Sequence, residues 1–143
     1  MTDQRAKDVG ELATAHLFDI VIDLNPRLNF GAGPAGQRVL FGAAKGSFEG
    51  PRLRGEVLAG GGDWALFRPD GVMTLDVRLS LKTHDGALVY MSYGGRWVIP
   101  QELRSDMADP VKRYQVDPGR YYFRTMKPWS GPIRTLLVVL ASR

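Results

Sequence analysis

The chain has 143 residues, 44% apolar and 24% charged, with 19 Lys and Arg against 15 Asp and Glu for a net charge of +4. That length makes one domain able to bury roughly two-thirds of the surface its unfolded form exposes, and the apolar fraction excludes a disordered chain. The absence of cysteine excludes disulfides, thiolate metal sites and cysteine nucleophiles.

The first residues, Met1-Thr2-Asp3-Gln4-Arg5, show no basic region followed by an apolar run, so no signal peptide is expected. The longest apolar run, residues 136–141, falls far short of the roughly 20 residues a spanning helix needs. A cytoplasmic protein without a membrane partner is the expectation. The positive charge permits nucleic-acid binding, but the basic residues are scattered from Arg5 to Arg143 without a dense cluster or a familiar nucleic-acid motif, so no nucleic-acid partner is expected.

Residues 1–15 read as an arm or short helix, weakened by Asp8, Gly10 and Thr14. In residues 16–24, Phe18, Ile20, Ile22 and Leu24 alternate with Asp19 and Asp23, the pattern of a half-buried strand that Asn25-Pro26 ends. The Gly- and Pro-rich stretch 29–36 reads as a loop, and it is no phosphate loop because no Gly-Lys-Ser/Thr closes it. Residues 38–44 and 53–58 read as strands, with 46–51 as a turn or bulge between them.

Residues 64–93 form three strand-like runs joined at Arg68-Pro69-Asp70-Gly71 and His84-Asp85-Gly86-Ala87. A helical segment is expected at 100–114, interrupted by Pro110, before strands at 121–126 and 134–141. About eight short strands separated by turn signals indicate an all-β sandwich or barrel. Residues 16–143 form its single domain.

In the middle run an apolar set (Met73, Leu75, Val77, Leu79, Leu81) alternates with a polar one (Thr74, Asp76, Arg78, Ser80). Pro69-Asp70-Gly71 suits a three-residue hairpin loop, which pairs Arg68 with Val72, Leu66 with Thr74 and Trp64 with Asp76. Reading Asp85-Gly86 as a two-residue loop pairs Leu81 with Tyr90, Ser80 with Met91 and Arg78 with Tyr93. Asp76 and Arg78 then share a face with Trp64, Leu66, Val89, Met91 and Tyr93. Two readings fit such a face: a semi-enclosed cavity with a polar floor and apolar walls, or an ordinary surface ion pair beside aromatic residues covered by another subunit.

For chemistry, Asp76 is the candidate general base, Arg78 the candidate stabiliser of an anion or enolate, and Tyr93 a candidate proton or hydrogen-bond donor. Each also has a purely structural reading, Asp76 neutralising Arg78 and Tyr93 packing with its hydroxyl at a rim. Trp64, Leu66, Met91, Tyr122, Arg124 and Glu56 are the candidate ligand contacts, with an Arg54–Glu56 salt bridge as the simpler reading of Glu56. Asp63, beside Gly60 to Gly62, reads equally as an organiser of the turn. His16 and His84 are too far apart in sequence to suggest a metal site, and no nucleotide, flavin or nucleophile-elbow motif is present.

The ordered series Gly46-Ser47-Phe48-Glu49-Gly50-Pro51, Gly55-Glu56-Val57-Leu58, Gly61-Gly62-Asp63-Trp64, Asp70-Gly71, Leu75-Asp76-Val77-Arg78, Asp85-Gly86-Ala87 and Tyr121-Tyr122-Phe123-Arg124-Thr125 resembles the bacterial domain-of-unknown-function family 3237 over residues 16–142. The resemblance implies a small antiparallel barrel similar to allene oxide cyclase and dirigent proteins. Those barrels bind small aromatic or lipid-like molecules in the lumen, and some catalyse cyclisation or isomerisation without a cofactor. It also implies a lumen around Trp64, Asp76, Arg78, Tyr93 and Arg124. The chain departs from the family pattern at Lys127-Pro128-Trp129-Ser130 and at 133–135, and the family's last strand is not recognisable in it.

The expectation is therefore a homo-oligomeric β-barrel that binds a small apolar or aromatic molecule bearing an anionic or carbonyl group, as a cofactor-free isomerase, cyclase or lyase. A non-catalytic carrier or sensor, and an oligomeric structural protein, are the alternatives.

Overall fold

The computed structural model describes Gly10 and residues 15–126. The arm or helix expected at 1–15 and the strand expected at 134–141 fall outside the described residues, apart from Gly10 and Ala15.

Among the described residues eight strands run in chain order: β1 (Asp19–Leu24), β2 (Leu28–Gly33), β3 (Gly36–Glu49), β4 (Arg54–Val57), β5 (Gly62–Phe67), β6 (Val72–Thr83), β7 (Leu88–Val98) and β8 (Tyr122–Met126). They make one antiparallel sheet. The long β3 pairs with β1 and β2 on one side and with β4 and β5 on the other. Both β4 and β5 pair in turn with β6, followed by β7 and β8. The path is thus a meander in which β1–β2 and β4–β5 each act as one interrupted strand.

Alternation sends one face of this sheet inward. Phe18, Ala43, Phe48, Val57, Ala65, Met73, Leu75, Val77, Leu79, Leu81 and Met91 form a single buried cluster, with Ile20, Ile22, Phe41, Phe67, Tyr93, Trp97 and Phe123 packed against it. Residues from seven strands meet there because the sheet curves its apolar face onto itself. Phe18 and Phe48 meet with ring centroids 5.1 Å apart, within the range for favourable aromatic pairs. This cluster supplies the cover that the apolar set of β6 requires.

Two loop expectations give way to strand. Residues 28–33 pair with β3, so only Pro34 and Ala35 form the turn before it. Gly46 to Glu49 continue β3 because they pair with both β1 and β4. Gly46 marks a close approach there and not a turn, since a Cβ at this position would run into the Val21 carbonyl.

The helical segment survives in pieces. A short turn at Gln101–Leu103 leads into α1 (Arg104–Ala108), anchored by Leu103, which is 1% exposed. Asp109 leaves helical geometry at ψ 127°, as the residue before proline does. Its carboxylate accepts from the N–H groups of Val111 and Lys112 at 2.8 and 2.9 Å.

Candidate functional site

The turn between β6 and β7 decides which residues share a face. Thr83 N–H donates to the Ala87 carbonyl at 2.9 Å and Gly86 N–H to the Thr83 carbonyl at 2.9 Å, so the loop is the three-residue His84-Asp85-Gly86. Gly86 sits at φ +90°, the left-handed position that closes this loop type at no steric cost to glycine. The Thr83 hydroxyl bonds the Asp85 carboxylate and accepts from Ala87 N–H at 2.9 Å. The loop has the same form as the one at Arg68, where Gly71 has φ +82°.

A three-residue loop in place of the expected two-residue one shifts β7 by one position and exchanges its faces. The pairs are Leu81↔Val89, Ser80↔Tyr90, Leu79↔Met91, Arg78↔Ser92 and Val77↔Tyr93. Met91 and Tyr93 therefore turn inward, Met91 at 3% exposure. They do not share a face with Asp76 and Arg78, and Tyr90, 65% exposed, takes the outer position.

The β5–β6 register matches expectation at Leu66↔Thr74. Trp64, Leu66, Asp76, Arg78, Tyr122 and Arg124 lie together on the outer face, opposite in alternation to the buried set. Asp76 Oδ2 meets Arg78 Nη2 at 3.2 Å with both side chains about half exposed. The Arg78 guanidinium stands 5.8 Å from the Trp64 ring centroid. Glu56, also exposed, reaches Lys82 Nζ at 3.6 Å across the β4–β6 pair, in place of the expected partner Arg54.

The inner face carries a carboxylate of its own. Cross-strand pairing sets Phe41, Asp63, Val77 and Tyr93 in one row over β3, β5, β6 and β7. Asp63 has the alternation of Ala65 and Phe67, both part of the core assembly, so its side chain belongs to the apolar side. β5 and β6 pair at Gly62↔Arg78, Asp63↔Val77, Leu66↔Thr74 and Phe67↔Met73, with the ladder interrupted at Trp64 and Ala65. Alternation from the Arg68–Val72 hydrogen bond would send Asp76 N–H to the Trp64 carbonyl. Instead Asp76 N–H donates to Asp63 Oδ1 at 2.9 Å, and Arg38 Nη1 donates to the Trp64 carbonyl at 2.7 Å. Two side chains thus occupy a break in the ladder.

Burial pushes the Asp63 carboxyl up from 3.8 to about 6, opposed by the Asp76 N–H bond and Arg38 and reinforced by the charge of Asp76. Burial, together with the charge of Asp63, raises the Tyr93 hydroxyl from 10.0 to about 12. The row thus holds a carboxyl that changes charge near neutrality and, across Val77, a phenol that keeps its proton. The Trp97 indole N–H, on the same face of β7 as Tyr93, is buried without a hydrogen-bond partner among the described residues, although buried polar groups are normally satisfied. Among the described residues no three His, Asp or Glu side chains gather as a metal site would, and no helix is long and apolar enough to cross a membrane.

Among the described residues the fold is mostly one antiparallel sheet of eight strands with one short helix, and Asp63 and Tyr93 lie on its inner face. The chain belongs to the family of proteins of unknown function DUF3237, whose family model matches residues 12–127. A UPF0311 protein of Clostridium acetobutylicum is 32% identical over 121 residues, covering 83% of this chain and 74% of the relative. A solved protein of unknown function from Rhodopseudomonas palustris superposes with a TM-score of 0.71 at 30% identity, over 82% of this chain and 75% of that one. A beta-barrel-like protein from Acinetobacter baumannii superposes with a TM-score of 0.54 at 23% identity, over 85% of this chain and 82% of that one. That likeness extends to the fold alone.

Proposed function

We propose that the protein binds a small apolar or aromatic molecule bearing a carbonyl on the inner face of its sheet and isomerises it without a cofactor, with Asp63 as the proton carrier. The observation that carries this reading is the break in the β5–β6 ladder, which holds a carboxyl of raised pKa on a mostly apolar face. A carboxylate that costs stability at neutral pH is the kind of feature functional sites retain.

The chemistry balances with the groups in the Asp63–Val77–Tyr93 row. Asp63, ionised, takes a proton from a carbon beside the substrate carbonyl, and Tyr93 donates a hydrogen bond to the oxygen on which the negative charge collects. Asp63 returns the same proton to a second carbon of the conjugated system. Bonds shift within the substrate, and no oxidant or co-reactant is consumed. The apolar surroundings strengthen both interactions, while Asp76 contributes its backbone N–H to holding Asp63.

Native mass spectrometry of the purified protein identifies a copurified molecule, and turnover is then followed with Asp63→Asn and Asp76→Asn. Loss of turnover with retained binding in Asp63→Asn, and activity near wild type in Asp76→Asn, is the expected result. The reverse pattern would return the chemistry to the outer face, and binding without turnover in the wild type would make the protein a carrier.

A further inference from the structure

The outer face gathers arginines that are far apart in sequence. Pairing sets Arg38, Leu66, Thr74, Arg96 and Arg124 in one row across β3, β5, β6, β7 and β8. Arg78 stands on the same face of β6. The row crosses four strand spacings, roughly 19 Å. Arg96 lies directly opposite Arg124, and like charges facing across a pair are destabilising. Neither guanidinium meets a carboxylate among the described residues. They donate instead to the Gly95 and Phe123 carbonyls at 3.1 and 2.7 Å. Asp76, the carboxylate of the neighbouring row, is engaged by Arg78.

Aromatic rings are interleaved with these cations. Arg78 lies over Trp64 at 5.8 Å and Arg124 over Tyr122 at 5.6 Å, while Tyr90 and Tyr122 are 65% and 52% exposed. A sheet face with unneutralised guanidiniums at strand spacing and accessible rings between them has the chemistry of a surface that tracks a phosphate backbone and stacks unpaired bases. A second copy of this chain would bring like charges together, and an acidic polypeptide, which the same guanidiniums would attract, is distinguished from a nucleic acid by the polyglutamate arm of the test.

We infer that the outer face of β3, β5, β6, β7 and β8 is a binding surface for single-stranded nucleic acid, with Arg38, Arg96 and Arg124 neutralising phosphates and Tyr122 and Trp64 meeting bases. This surface is separate from the inner-face row of Asp63 and Tyr93.

The test is fluorescence anisotropy of the full chain with a labelled oligothymidylate of about 12 nucleotides, within the range of single-strand sites. Three phosphate contacts predict that affinity falls roughly 20-fold between about 50 and about 200 mM salt. Arg96→Glu with Arg124→Glu should weaken binding at least about tenfold, and Tyr122→Ala at least about fivefold. Arg52→Glu with Arg113→Glu makes the same charge change at exposed positions off this face and should leave affinity near that of the wild type. Circular dichroism establishes that each variant is folded. No binding at the lower salt, equal weakening by the control pair, or equally tight binding of a polyglutamate of matching charge would overturn the inference.

Discussion

Replacing Asp63 by Asn removes the charge while keeping an oxygen to accept Asp76 N–H, a bond of 2.9 Å. Because the folded carboxyl titrates near 6 and its ordinary value is 3.8, the folded state holds more protons than the unfolded state between those limits. Wild-type stability therefore falls as pH rises through this window, and the full loss is present above it. The interval from 3.8 to about 6 corresponds to roughly 3 kcal/mol, which solvent screening of a half-buried group reduces to about 2 kcal/mol. Urea unfolding of both proteins from pH 3.5 to 8 measures the difference directly. The two should be equally stable below about pH 4, with Asp63→Asn ahead by about 2 kcal/mol at pH 7.5. A difference independent of pH, or a variant less stable than wild type at neutral pH, would refute the reasoning.

Three further outcomes follow from the fold. Leu79→Ala, at a side chain 2% exposed, should lose about 2 to 5 kcal/mol in the same denaturation assay. Gly86→Ala places a side chain at φ +90° and should cost more than about 1 kcal/mol, read as a lowered melting temperature; an unchanged value would contradict the three-residue loop. Arg78→Ala, which breaks a half-exposed pair with Asp76, should change stability by less than about 1 kcal/mol, and a larger loss by calorimetry would show that pair to be more than a surface contact.

The alternation in β6 was legible because Met73, Leu75, Val77, Leu79 and Leu81 are all buried against a curved sheet, and the Pro-Asp-Gly loop fixed the register of β5 correctly at Leu66↔Thr74. The second hairpin was not legible from Asp85-Gly86 alone. That dipeptide serves two- and three-residue loops alike, and the Thr83 hydroxyl that bonds both Asp85 and Ala87 favours the longer one. One residue of slip exchanged Met91 and Tyr93 for Tyr90 and Ser92. Asp63 was obscured by the glycines before it, which suggested a turn, although Asp63, Ala65 and Phe67 keep the alternation of one strand face. The gathering of Arg38, Arg96 and Arg124 depends on non-local pairing, which sequence spacing does not display.

Whether a break in the ladder holds a carboxyl on the apolar face is tested most directly by the titration of Asp63. Following the Asp63 side-chain carboxyl carbon by NMR against pH should give a midpoint of about 6, absent from the spectrum of Asp63→Asn. A midpoint near the ordinary 3.8 would mean that Asp63 is solvated, and would contradict an inner-face proton carrier.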